Sequence, residues 1–352
     1  MFSRDLSIFF TAKIARGKGV KNLLYALMVS MSVWLTGCRD TKVDDHHKAL
    51  QAWMEPNEKL KVLSTTAMID DLVASIGQDY ILHQTLIQGQ LDPHGYELVK
   101  GDGEKIGCAD LIFYNGLELE HGASLKYQLT HQPKAYALGD MLLGQEGVDL
   151  IFLEGQVDPH IWMDIDLFSH AIDPLVEKMS LYDPEHAQIF FENGQKLKKQ
   201  MDQLDQKIYQ QMQNIPSQSR YLITSHDAFF YFARRYLAES SEYKNQTWKE
   251  RFAAPEGLAP DGQISPLDIQ VIIDYALTHH VQALFPESNL NQDALRKIIE
   301  VLNQKGARVV LAKEPLYGDT LGDIGSGAET YLQMMEYNAN QISLSLQGKD
   351  EK

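Results

Sequence analysis

Between Pro184 and Pro216 the chain has no proline, and its one glycine is Gly194. Phe190, Leu197, Met201, Leu204, Ile208 and Met212 recur there at steps of three, four or seven, which predicts a single narrow apolar stripe on one helix. Asp183-Pro184-Glu185 is a start signal, with aspartate as cap, proline at the first helical position and an acid in the first turn. A helix of about thirty residues is about 45 Å long and can cross a whole lobe. It would be a stiff strut where paired loop crossings would give a hinge. A coiled coil with a partner is the alternative, and one narrow stripe argues against it.

Strands and helices alternate on both sides of this segment. Before it, 59–66 is strand-like, 68–76 has helical spacing closed by Gly77, and 83–87 is a second strand. A short helix opens at 101–106, 109–115 reads as a buried parallel strand, and 135–138 as another. After it come strands at 221–224, 282–285 and 308–312 and helices at 229–236, 269–277 and 293–302. Residues 239–266, rich in glycine, proline, serine and charge, read as a long loop. Such alternation predicts parallel sheets wound by right-handed crossovers. The expected fold class is α/β: two parallel-sheet α/β lobes, 59–165 and 217–348, joined by a linking segment, 166–216, that holds one long rigid helix.

The N-terminus addresses the protein. Arg4, Lys13, Arg16, Lys18 and Lys21 form a basic leader, and the apolar run at 22–35 is short for a membrane span. It ends in Leu35-Thr36-Gly37-Cys38, the pattern of a bacterial lipoprotein signal in which 1–37 is removed and Cys38 is lipidated. A plain cleaved signal peptide and an uncleaved anchor are the alternatives; each still exports the chain. Residues 38–58 then form the lipidated cysteine and a polar tether. Within it Asp44-Asp45-His46-His47 could catch metal or be simply solvated. Only two cysteines occur, so lipidation at Cys38 leaves Cys108 alone, read as a buried structural thiol. The formal charge is −16, and an excess of four positive charges in 1–37 takes the remainder to −20, which disfavours nucleic acid as a partner.

One tripeptide occurs twice, as Asp92-Pro93-His94 and Asp158-Pro159-His160. Proline fixes its own φ and extends the residue before it, so each imidazole is presented from a stiff turn with little entropy left to lose on binding. In open parallel sheets ligands bind beyond the carboxyl ends of strands. His94, His226 and Asp319 each follow a predicted strand, and His160 lies between the lobes. Taken singly, His226 could be a helix-start histidine in a structural hydrogen bond and Asp319 a turn aspartate. Taken together, three imidazoles and a carboxylate complete a donor set for a divalent transition metal.

The segments 92–97 (DPHGYE), 109–120 (ADLIFYNGLELE), 158–164 (DPHIWMD), 225–232 (SHDAFFYF) and 316–322 (LYGDTLG) resemble, in order, the zinc/manganese solute-binding proteins of ATP-binding-cassette importers, the TroA-like family. Trp248, Arg251, 255–258 (PEGL), 285–287 (FPE) and 290–295 (LNQDAL) are similar to its chlamydial YtgA-type branch. The resemblance covers nearly all of 59–346. It implies a metal site in the interlobe cleft, with ligands at His94, His160, His226 and Asp319, and a monomer serving a membrane permease. Many manganese-selective members carry glutamate where His226 stands, and the extra nitrogen favours zinc. Zinc-specific members often carry a His-rich acidic loop between the first two ligands; here His121 and His131 stand isolated, which pulls the other way. The cargo is therefore one divalent transition metal from the set zinc, manganese and iron. Glu287, after the strand at 282–285, is a candidate partner for a ligand histidine, or a solvated acid.

The function expected is an exported, lipid-anchored receptor, periplasmic or on the cell surface, that hands metal to an ABC-type permease and is not an enzyme. A metal-dependent hydrolase using the same donors would want an open coordination position and a general base, and no His-Glu-x-x-His helix occurs. A surface adhesin lipoprotein would not need four convergent donors.

Overall fold

The computed structural model describes residues 50–260 and 264–348. The expected signal 1–37, Cys38 and the cluster 44–47 lie outside the described residues. The chain divides into two compact units, Met1–Ala52 and Trp53–Lys352, and the fold below is that of the second. Its first residue corrects the tether expected through 58. Trp53 is buried, its ring N–H donates to Lys105 O at 3.2 Å, and Lys61 Nζ donates to Trp53 O at 2.6 Å. One isolated aromatic carries no periodicity, yet its area is enough to seat it in a core.

The first lobe is a four-stranded parallel sheet of order β2-β1-β3-β4. Its strands are β1 (Leu60–Ser64), β2 (Ile81–Thr85), β3 (Leu111–Tyr114) and β4 (Ala135–Ala137). The helices α1 (Ala67–Gly77), α2 (Asp102–Cys108), α3 (Ala123–His131) and α4 (Leu138–Leu142) connect and flank them. β1 is buried at every position because helices cover both faces of a parallel sheet. Val62, Leu111 and Phe113 enter one core, and Leu63 and Ile112 enter another with Trp53. The strand expected at 83–87 begins two residues earlier. Leu86 and Ile87 lie past its end but still donate backbone N–H groups to Ser64 O and Thr65 O. Cys108, expected to be buried, is partly exposed where α2 ends.

A hairpin, β5 (Phe152–Leu153) and β6 (Gln156–Val157), leads to Asp158. Then come α5 (Ile165–Ser169), capped by the Asp164 side chain, and α6 (Ile172–Tyr182). Asp183 caps a 3₁₀ turn, Pro184–His186, that feeds α7 (Ala187–Gln213), a helix of 27 residues. Phe190, Gly194, Leu197, Met201, Asp205, Ile208 and Met212 are its buried face, packed on the protein's own α1, α5 and α6. No coiled-coil partner is required. Gly194 is where α6 comes closest: a Cβ there would lie 2.8 Å from Val176 Cγ2 and 3.1 Å from Ile172 Cγ2. Asp205, off the apolar stripe, is buried against the Arg235 guanidinium and the Tyr236 hydroxyl.

The second lobe runs β7 (Leu222–Ile223), α8 (Phe230–Phe232) with a π turn Ala233–Leu237, α9 (Ser240–Asn245) and β8 (Phe252–Ala253). It continues through α10 (Pro266–Thr278), β9 (Ala283–Leu284), α11 (Asp293–Gln304), β10 (Val310–Leu311) and α12 (Tyr331–Leu346), which also packs on α7. β7 pairs with β8 and β9 with β10, all parallel, and Phe285 N–H donates to Ile223 O at 2.9 Å between the pairs. The long loop expected at 239–266 is corrected: α9, a 3₁₀ turn at Thr247–Arg251 and β8 occupy its first half. One of its charges faces inward. Arg251 is 4 % exposed and donates to Glu242 and to Ser217 O, so charge there marks an ion pair and not solvent. One core runs from Val62 through Phe190, Met201 and Met212 to Tyr331 and Ile342.

Gly194→Leu forces a branched side chain between α6 and α7, and overpacking of this kind costs about 1–3 kcal/mol. Urea unfolding should show a lower midpoint at unchanged slope; an unmoved midpoint would mean the two helices are free to part.

Candidate metal centre

The two Asp-Pro-His turns fold alike. Asp92 Oδ1 accepts the His94 backbone N–H at 2.8 Å, and Asp158 Oδ1 accepts that of His160 at 3.0 Å, the local ring aspartate makes readily. In the second turn the same oxygen also lies 2.7 Å from His160 Nδ1. That makes Nδ1 a donor and leaves Nε2 as the nitrogen able to face a metal. Asp158 is fully buried, and its backbone is held from both lobes: Tyr231 Oη donates to Asp158 O at 3.0 Å, and Asn115 Nδ2 to Pro159 O at 3.0 Å.

Asn115 opens a strained turn. Gly116, Leu117 and Glu118 all have positive φ, at 71°, 52° and 63°. Left-handed backbone is costly for a leucine, and two carboxylates hold it. Buried Glu120 accepts Asn115 N–H at 2.8 Å and Gly116 N–H at 3.1 Å, and Asp140 accepts Leu117 N–H at 2.8 Å.

His226 follows β7 and Glu287 follows β9, so adjacent strands bring them together. Glu287 Oε1 accepts Ser225 N–H at 3.0 Å and His226 N–H at 2.9 Å. Its Oε2 lies 2.8 Å from His226 Nδ1, an ion-pair contact off the line of a hydrogen bond. Asp319 sits on the loop after β10. Trp162 Nε1 donates to Gly318 O at 2.8 Å, tying that loop to the second Asp-Pro-His turn. A Cβ at position 318 would fall 2.2 Å from Glu287 Oε2, so any side chain there would displace the carboxylate that contacts His226.

These elements bring all four expected side chains to one point. His160 Nε2 is 3.2 Å from His94 Nε2 and 3.3 Å from His226 Nε2. Asp319 oxygens lie 3.3, 3.5 and 3.8 Å from His226, His160 and His94 Nε2. One donor atom from each of the four lies within 4.8 Å of the others. Metal–nitrogen bonds of 2.0–2.1 Å in a tetrahedron set donors about 3.3 Å apart; the His94–His160, His160–His226 and His226–Asp319 pairs lie at that spacing, and the His94–Asp319 pair is wider. None of the four is more than 2 % exposed.

Burial pushes His94 well below the ordinary histidine range, and Asp319 offsets it only in part. At His160 burial acts the same way, but Asp158 and Asp319 outweigh it and raise the group to about 9. At His226 burial is likewise outweighed, by Glu287 and Asp319, and the ring goes well above its usual value. Burial would raise Asp319, yet the His226 and His160 rings hold it well below the carboxylate range. Protons thus stand in for a cation around an ionised carboxylate.

Residues 62–344 match the ZnuA family, described as zinc-uptake complex component A periplasmic. The chain belongs to this family. It is 39% identical over 292 residues to the metal-binding protein YtgA of Chlamydia trachomatis serovar D, covering 83% of this chain and 87% of that one. The structure of Fe(III)-bound YtgA from Chlamydia trachomatis superposes with a TM-score of 0.77 at 38% identity, over 82% of this chain and 98% of that one. The periplasmic zinc-binding protein TroA from Treponema pallidum gives 0.73 at 28% identity, over 82% and 99%. The manganese ABC transporter substrate-binding lipoprotein PsaA of Streptococcus mitis is 28% identical over 330 residues, 92% of this chain and 97% of its own.

In this ZnuA-family chain the centre opens on a cleft of about 590 Å³, walled by His94, His121, Leu117, Phe152 and Pro159 on one side and Leu258 on the other. His121, which looked isolated in sequence, has its ring 5.9 Å from that of His94. Asp158, Asn115, Glu120 and Trp162 all lie inside motifs visible in the sequence, but spacing alone assigned them no role. The signal for Asp158 was the repeat itself, since aspartate two residues before each histidine is the group that accepts its backbone N–H.

Trp162→Phe keeps the packing and leaves buried Gly318 O without its donor, which costs about 1–3 kcal/mol. Denaturant titration of the metal-free protein should show that loss; no change would mean the Asp319 loop does not depend on this bond.

Proposed function

We propose that this chain is an extracytoplasmic receptor that captures one divalent transition metal, zinc, manganese or iron, on His94, His160, His226 and Asp319 and delivers it to an ABC-type permease. The observation that carries the reading is the convergence of three buried imidazoles and a carboxylate, one donor atom from each lying within 4.8 Å of the others. Four protein donors leave no position reserved for a reacting water, which suits a carrier better than a hydrolase. Glu287 orients His226 and, with Asp158 behind His160, tunes the rings from outside the donor set.

Leu35-Thr36-Gly37-Cys38 and the lipoprotein relative PsaA support an anchor through lipid on Cys38 after removal of 1–37, and the receptor is proposed to act as a monomer. No helix among the described residues is long and apolar enough to cross a membrane. The proposed layout is a tether from 38 that ends before Trp53, a first lobe from there to 165, the linking segment 166–216 and a second lobe at 217–348.

Residues 39–352, purified without chelator or affinity histidines, should carry one equivalent of metal by elemental analysis. The stripped protein is then titrated with zinc, manganese, ferrous and ferric iron; ferric iron is included because of the Fe(III)-bound relative. Glu287→Gln should weaken binding about 10- to 100-fold, and His160→Ala by more than about 100-fold with the fold retained. Tight binding by His160→Ala sinks the assignment.

Metal must displace the protons. His160 is raised from 6.5 to about 9, so its proton stabilises the metal-free fold fully below about pH 6.5, and that contribution is lost as pH rises through about 9. Metal affinity grows over the same window. The metal-induced rise in Tm should therefore be larger at pH 8.5 than at pH 6; an equal rise at both would contradict protonation of the centre.

A further inference from the structure

The lobes meet again outside the buried centre, at Gln90. This exposed residue lies in the loop after β2, four positions before His94, and its side chain crosses to lobe two. There Gln90 Nε2 donates to Leu321 O at 3.0 Å, and Gln90 Oε1 accepts from Ser288 Oγ at 2.6 Å and Thr320 Oγ1 at 3.0 Å. Both ends of one amide are thus engaged across the cleft. The partners are chain neighbours of the two lobe-two carboxylates: Ser288 follows Glu287, which contacts His226, and Thr320 and Leu321 follow Asp319.

We propose that Gln90 is a latch, a positioning residue that locks the Glu287 and Asp319 loops against the His94 loop and thereby sets how fast metal leaves. The inference rests on the receptor function proposed above. Gln90 touches none of the four donors in the way they touch one another, so it governs the lifetime of the closed state and not the number of metals held. Its three bonds span the two lobes at an exposed position. Separation of the loops breaks all of them, and the latch therefore bears on release, the step in which the loops must part. Two of the three bonds are exposed and the third is half-buried, so they add little to the stability of the fold.

The test is stopped-flow release of bound metal into excess chelator, alongside capture by the stripped protein, for wild type and Gln90→Ala. Gln90→Ala should hold one equivalent, release it about tenfold faster, which is about 1.4 kcal/mol, and capture it at a rate within about twofold of wild type. Its metal-free Tm should not move. Gln90→Glu, which keeps the acceptor for two hydroxyls but loses the donor to Leu321, should fall between. Ser288→Ala combined with Thr320→Val should speed release similarly, and adding Gln90→Ala should then bring only the small remainder owed to Leu321. Unchanged release from Gln90→Ala with metal still bound overturns the latch, as does a fall in metal-free Tm that accounts for the change. Wild type that binds no metal would instead remove the receptor function beneath it.

Discussion

Three imidazoles and a carboxylate inside a protein core are expensive, and the rest of the structure answers that cost. An unpaired buried charge is worth several kcal/mol of destabilisation. Here each ring nitrogen that faces away from the centre at His160 and His226 meets a carboxylate, Asp158 or Glu287. Those carboxylates are themselves tied to backbone N–H groups, and the carbonyls nearby are taken up by Trp162, Tyr231 and Asn115. The glycine at 318 and the strained turn at 116–118 follow from the same demand, because backbone must come close enough to close the network.

The lobes are held for this purpose by packing more than by charge. α7 presents its apolar face to both halves, and a single core passes through it, so the four donors are positioned by elements with little freedom to drift. Preorganisation of that kind lowers the ordering entropy that binding must supply. What mobility the centre needs is left to loops after β2, β9 and β10, at the carboxyl ends of the strands.

Most of the architecture was legible because it rests on period and punctuation. The stripe from Phe190 to Met212, the cap at Asp183 and the apolar run of β3 are local signals, and the local structure follows them, while the C-cap of α1 falls on Gln78, one residue past Gly77. The four clustered side chains were legible through the repeated Asp-Pro-His and through placement after strands. What escaped was decided by partners distant in sequence. Trp53 is folded because Lys105 and Lys61 meet it, Arg251 is inside because Glu242 and Ser217 are there, and Asp205 is buried because Arg235 is 30 residues on. Gln90 has no local mark at all, since its partners lie 198, 230 and 231 residues away.

The order of the chain adds a consequence for assembly. α7 cannot finish burying its stripe until α12 arrives, and the Tyr331 hydroxyl at the start of α12 is bonded to Trp162 O at 2.7 Å. The last of the four clustered side chains, Asp319, also comes late. A chain emerging N-terminus first therefore has three histidines in hand while its core is still open, and nothing to hold them at their final spacing. A chain cut short before α12 would therefore leave part of the α7 stripe and the Trp162 carbonyl without the partners that cover them.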